Sequence, residues 1–395
     1  MPTPRPMGRR SFLRLVTAAS GFAAAGCSPA DVSLGSTEPA AMRYRPLGDT
    51  GLEVSEIAFG AHGVDNAQLM RAAMEAGINT FCTSGHYLDG MEEMALGQAI
   101  RNSGFDRDRL IVLTGNDIRP GLTKRSVLDS IDASLRRLGT DHIAVYYASD
   151  VRSPAHLSFD AFHEAIDEAK RSGKVGHLGL SGHSGGMQAV LEAAIDDGRF
   201  EVFFIKYDFV SYPEQDEILA RAATEGIGTV VFKTNAGNRQ REVRGLQKGG
   251  LSFPQATVKW ALTNEVVASV AITITSYSEL AEMAAAVATR LDRSEVAMLR
   301  HYADTMRHRY CRFCAACEPS CARGVPIADI NRFWMYSAYY DRHGEASARY
   351  AKLSRQQSAA ACEGCSAPCE RACPFGRPVR AELVTAHREL GVVTA

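Results

Sequence analysis

At 395 residues, 46% of them hydrophobic and 23% charged, the chain has the composition of a globular protein with a substantial core, which excludes intrinsic disorder. The formal net charge of -1 sets up no field that would recruit nucleic acid or an anionic membrane surface. The length suits one large α/β barrel, roughly 250 residues in general, plus a small appended unit.

Residues 1–40 read as a leader and tether. Arg9-Arg10-Ser11-Phe12-Leu13-Arg14 precedes an apolar stretch of small residues reaching Ala25, the pattern of a twin-arginine export signal. That stretch is too short and too rich in Ala, Gly and Ser to span a bilayer as a stable helix. Ala24-Ala25-Gly26-Cys27 has the look of a lipobox, which would acylate Cys27 and leave the polar run from Ser28 to Ala41 as a tether. The alternative is a plain signal peptide cut elsewhere, with Cys27 discarded. Either way the expectation is a periplasmic protein or a membrane-anchored lipoprotein, touching the membrane only through Cys27.

Residues 41–308 alternate short β-branched runs with amphipathic segments. The strand-like runs are Glu56 to Gly60, Ile78 to Cys82, Leu110 to Thr114, Ile143 to Tyr147, Val175 to Ser181, Val202 to Lys206, Gly228 to Lys233 and Val266 to Ile272. Helical spacing of apolar residues is clear from Thr123 to Leu138. Eight such units predict an α/β fold of the TIM (β/α)8 barrel type.

Particular segments resemble the aldo/keto reductase superfamily. They are Tyr44-Arg45-Pro46-Leu47-Gly48-Asp49-Thr50-Gly51-Leu52, Ala58-Phe59-Gly60, Gly77-Ile78-Asn79-Thr80-Phe81, Tyr87 with Gly90 and Glu93, Gly179-Leu180-Ser181-Gly182-His183 and Phe232-Lys233-Thr234-Asn235-Ala236-Gly237. The resemblance implies hydride transfer from NADPH to a carbonyl, with a Tyr as general acid tuned by a Lys, an Asp and a His. A proton donor beside the carbonyl oxygen and a cation lowering its pKa are what such chemistry needs.

Of that tetrad only Tyr87 matches. Cys82 stands at the Asp position, Gly115 at the Lys position and Ser149 at the His position. An isolated Tyr with pKa near 10 is a poor acid at neutral pH. Lys206 and Lys233 are candidates for a replacement positive charge, and His62, His86 and His183 for the missing His, each open to a plain rim role. Cys82 is either a redox-active thiol or a small buried substitute. On the cofactor side, Ser181 matches the residue that binds the nicotinamide amide, Lys206 the cofactor-contacting Gln position, and Glu282 an adenine-side residue. Gly182 replaces an Asn, and the Arg that clamps the 2′-phosphate is missing, so NADP is expected to bind weakly.

Residues 309–395 hold eight of the ten cysteines. Cys311, Cys314, Cys317 and Cys321 have the spacing of a bacterial ferredoxin run, and Cys362, Cys365, Cys369 and Cys373, followed by Pro374, form a second. The expectation is a small ferredoxin-like domain holding one or two 4Fe-4S clusters. By ferredoxin analogy, Cys311, Cys314, Cys317 and Cys373 would hold one and Cys362, Cys365, Cys369 and Cys321 the other. Structural zinc and four disulfides remain alternatives. The whole resembles the aldo/keto reductase subgroup with a C-terminal 4Fe-4S domain.

The function this implies is an iron-sulfur oxidoreductase acting on a small carbonyl-type substrate, with a redox partner protein and no nucleic acid. The alternative is a non-catalytic electron-transfer or binding protein that keeps the barrel as a scaffold.

Overall fold

The structure, a computed structural model, describes residues 42–391 except 120, 150, 184, 211–213 and 238–251. The expected leader, with Arg9, Arg10 and Cys27, lies outside the described residues. Among the described residues no helix is long and apolar enough to cross a membrane.

A hairpin of β1 (Tyr44–Pro46) and β2 (Glu53–Ser55) leads into the barrel. The barrel strands are β3 (Ile57–Gly60), β4 (Thr80–Cys82), β5 (Ile111–Asp117), β6 (Ile143–Ser149), β7 (Val175–Gly182), β8 (Val202–Lys206), β9 (Gly228–Phe232) and β10 (Val267–Thr273). They pair in parallel in that order, and β10 returns to β3 to close the ring. Helices α1 (Ala67–Glu75), α2 (Met91–Ser103), α3 (Lys124–Leu138), α4 (Asp160–Arg171), α5 (Met187–Asp197), α6 (Glu214–Thr224) and α7 (Phe253–Leu262) connect them, and α8 (Tyr277–Ala286) and α9 (Arg293–Met306) follow β10. The fold expected from the eight β-branched runs is therefore the observed one, with strand ends shifted by at most a few residues.

Alternation along each strand divides the apolar residues into two layers. Ala58, Leu113, Val145, Tyr147, Val202 and Phe204 fill the barrel interior, and Leu47 and Val54 of the hairpin close its bottom. Phe59, Phe81, Val112, Tyr146, Phe203 and Val231 face the helices. Helix starts follow local capping chemistry: Thr123 caps α3 in a capping box with Ser126, and Asp292 caps α9 with Glu295.

The tail carries α10 (Ile327–Tyr340), α11 (His343–Ala351), α12 (Pro368–Ala372) and α13 (Val379–Leu390). Among the described residues after Met306 there is no strand, so the tail is ferredoxin-like in its cysteine spacing but helical in build. It does not stand apart from the barrel. Phe333, Met335, Tyr336 and Leu383 of the tail share one buried cluster with Phe209, Ala236, Phe253 and Tyr302, so the boundary expected at 308/309 runs through a common core. The tail lies over the barrel mouth: Arg342 donates to the His62 carbonyl at 3.0 Å, Arg152 to Asp329 at 2.9 Å, and Lys233 to the Tyr336 hydroxyl at 3.0 Å.

Candidate active site and metal centre

At the C-terminal ends of the strands, where loops of this fold carry chemistry, neighbouring side chains occupy the space beside two glycines, Gly115 and Gly182. At Gly115 a Cβ would lie 2.0 Å from the Tyr147 carbonyl oxygen and 2.6 Å from its ring. Tyr147, fully buried, crosses the interior and donates its hydroxyl to the Thr83 carbonyl. A lysine at 115 has no room. At Gly182 a Cβ would lie 2.5 Å from the Met187 sulfur, so the end of the Met187 side chain occupies the space beside Ser181 and a larger residue there would have to displace it. Ser181 itself is buried at the end of β7.

Tyr87 is half-buried, with His62 and His86 presenting ring edges at centroid distances of 4.5 and 4.8 Å. Leu88, Asp89 and Gly90 after it all have positive φ, turning the chain abruptly into α2. Burial, then Tyr336 and Glu92, push the Tyr87 phenol well above its ordinary value. Neither expected lysine serves it. Lys206 is buried in an ion pair with Asp208, with the rings of Tyr310 and Phe313 at 5.6 and 5.7 Å, and so ties the barrel to the tail. Lys233 donates to Tyr336 instead. Cys82 lies inside the wall, 3% exposed, its thiol pushed far up by burial, which disfavours the redox-active thiolate. Glu282 accepts from Ser252, and its carbonyl accepts from Gln255 at 2.7 Å, an arrangement that joins α7 to α8.

Sequence reading missed Tyr336. It enters the mouth from α10, and its ring is met by the Lys233 ammonium at 4.9 Å, the Arg349 guanidinium at 5.9 Å, the Arg332 guanidinium at 6.0 Å and the His183 ring at 6.4 Å. Burial would raise this phenol, but Lys233, Arg332 and Arg349 outweigh it and hold the phenol below its usual value. Burial and the same cations keep His183 neutral. The only prior signal was the aromatic density of the segment from Phe333 to Tyr340. Glu92, behind Tyr87, was also missed; it is fully buried, and its Oε1 accepts the Gly63 amide at 2.5 Å.

All eight tail cysteines are free thiols. They sort into two sets by proximity. Cys373 from the second run lies beside Cys311, Cys314 and Cys317, and Cys321 from the first lies beside Cys362 and Cys369, with Cys365 next to both of the latter. Burial followed by these neighbours pushes the Cys362 thiol up to about 11. Phe313 and Ala315 have φ of 58° and 56°, and the amides of Phe313 and Ala316 point to the sulfurs of Cys311 and Cys314. Arg377, 4% exposed, places its charge beside Cys311 and Cys373. Among the described residues no three His, Cys, Asp or Glu side chains gather closely enough to share one metal ion.

Residues 63–243 match the aldo/keto reductase family profile. A Bacillus subtilis protein described as an uncharacterized oxidoreductase is 27% identical over 65% of this chain and 95% of its own length. A probable voltage-gated potassium channel subunit beta of rice is 26% identical over 61% of this chain and 90% of its own. A solved aldo-keto reductase of Bacillus halodurans, in its holo form, has the same fold with a TM-score of 0.55 at 22% identity, over 66% of this chain and 96% of its own. Closed parallel barrel, bottom hairpin and profile match agree: the chain has the (β/α)8 barrel fold of the aldo/keto reductases, and its residues 63–243 are similar to that family.

Proposed function

We propose that the chain is an iron-sulfur oxidoreductase in which the tail holds two 4Fe-4S clusters and the covered mouth of the barrel binds a small carbonyl compound. The observation that carries this reading is the sorting of eight free thiols into two sets of four, each completed by a cysteine from the other run. Three cysteines within seven residues, with a fourth from the other run, suit a cubane better than the two well-separated Cys-x2-Cys knuckles usual for structural zinc. Amides aimed at the sulfurs and the buried Arg377 charge stabilise thiolates in the same place. Bound clusters would supply single electrons, two of which, with two protons, convert a carbonyl to an alcohol. Tyr336, held by Lys233, is a better-placed proton source than Tyr87. The electrons would come from a reduced partner protein, since the filled position 115, which leaves no room for a lysine, disfavours nicotinamide chemistry. Export by the twin-arginine route and a lipid anchor at Cys27 belong to the same proposal, because that route carries folded proteins with their metal groups in place.

Anaerobic purification followed by iron, sulfide and zinc assays and EPR tests the proposal. Two cubane signals are expected. Colourless protein with zinc, or with paired thiols, would overturn it. The second reading, a scaffold without catalysis, is favoured by the closure of the mouth, where Tyr336 is 6% exposed. Reduced protein that no carbonyl compound re-oxidises would support that reading.

A further inference from the structure

Two cations at the mouth are incompletely matched by their partners. Arg332 is 1% exposed; its Nη2 donates to Asp329 at 2.9 Å, but Nε and Nη1 meet no hydrogen-bond partner. Asp329 is shared, because Arg152 also donates to it at 2.9 Å. Glu345 is divided too, among Arg349 at 3.0 Å, Arg342 at 3.7 Å and His62 at 3.8 Å. Lys233 has a neutral phenol as its partner. Among the described residues, the Lys233, Arg332 and Arg349 charges that ring Tyr336 therefore face two carboxylates that also serve Arg152, Arg342 and His62.

A buried guanidinium with unused donors is destabilising unless an acceptor reaches it. The arrangement is built: Arg332 and Tyr336 stand one helical turn apart on α10, and Lys233 is fixed opposite by a backbone with φ of 58° at the end of β9. Lys233 and His183 are only half-buried, so the cluster is reached from their side.

We propose that Lys233, Arg332 and Arg349 form a binding site for a small carboxylate, and that the substrate is an organic acid whose carbonyl lies near that group. Tyr336 sits among these cations and faces the bound acid. The inference builds on the oxidoreductase reading for the carbonyl and stands alone for the carboxylate. Phosphate shares the oxyanion chemistry, and the test separates the two.

The experiment uses the full chain, purified anaerobically, with isothermal calorimetry and thermal shift. Pyruvate is the probe, acetone the neutral control and inorganic phosphate the competing oxyanion. Pyruvate is expected to bind and to raise the melting temperature, with acetone inert and phosphate weaker. Lys233→Gln is expected to weaken pyruvate at least about tenfold, the loss of one charge-assisted hydrogen bond. Arg332→Met should abolish binding, and because that change in the core can prevent folding, Lys233→Gln and Arg349→Gln at the rim carry the decision. Pyruvate affinity unchanged in both rim variants, equal binding of acetone, or phosphate bound more tightly than pyruvate would each overturn the site. Carboxylate binding by iron-free protein leaves the site standing and removes the electron source, whereas iron without carboxylate binding does the reverse.

Discussion

Glu92 offers a sharp test of the electrostatics behind the mouth. It is fully buried, its Oε1 takes the Gly63 amide, and its Oε2 has no partner. Burial, reinforced by Asp65, Glu345 and Glu93 and opposed by the Gly63 hydrogen bond, pushes the carboxyl from 4.5 up to about 8. The folded state thus keeps a proton that the unfolded chain releases between those values. Stability from this group is fully present below pH 4.5 and is lost as pH rises to about 8, at up to ~1.4 kcal/mol per pH unit and about 5 kcal/mol at most. In Glu92→Gln the side chain stays neutral, still accepts from Gly63 and has an amide in place of the unpartnered oxygen. Thermal melts of both proteins, anaerobic and followed by circular dichroism from about pH 5 to about pH 8, are expected to converge at the acid end. At the alkaline end the variant should be the more stable by several kcal/mol. Comparing the two at each pH cancels any acid sensitivity of the tail. Melting curves that run parallel across the range would refute a buried, proton-holding Glu92.

Cys373→Ser and Cys311→Ser are expected to remove the same EPR signal and about half of the iron, while Cys362→Ser removes the other signal. Loss of a common signal in Cys373→Ser and Cys362→Ser would mean that each run holds its own cluster. Lys206→Met leaves the Asp208 carboxylate buried without its cation and removes the charge over the Tyr310 and Phe313 rings, and it should cost about 3 kcal/mol in denaturant unfolding; a change within about 0.5 kcal/mol would show that this buried pair contributes nothing to stability. Titration with NADPH, followed by nicotinamide fluorescence, is expected to show no saturable binding, and tight binding would restore nicotinamide as hydride source despite the filled position 115.

The eight strands were legible because a β-branched run such as Val202 to Lys206 declares itself within five residues, and capping at Thr123 and Asp292 is equally local. The family resemblance was legible for the same reason, carried by contiguous segments around Tyr44, Gly179 and Phe232. The roles of the mouth residues were not. Lys233 finds its partner 103 residues away, Arg152 finds Asp329 at a separation of 177, and the Tyr147 ring that excludes a lysine at 115 arrives from the neighbouring strand. Chain order, residue type and spacing determined the barrel and singled out eight cysteines as ligand candidates. The ferredoxin spacing already suggested Cys373 as a neighbour of Cys311, but only tertiary structure laid α10 over the mouth and made Tyr336 the phenol surrounded by cations, because such neighbours are set by how packed layers meet and not by any local preference of the chain.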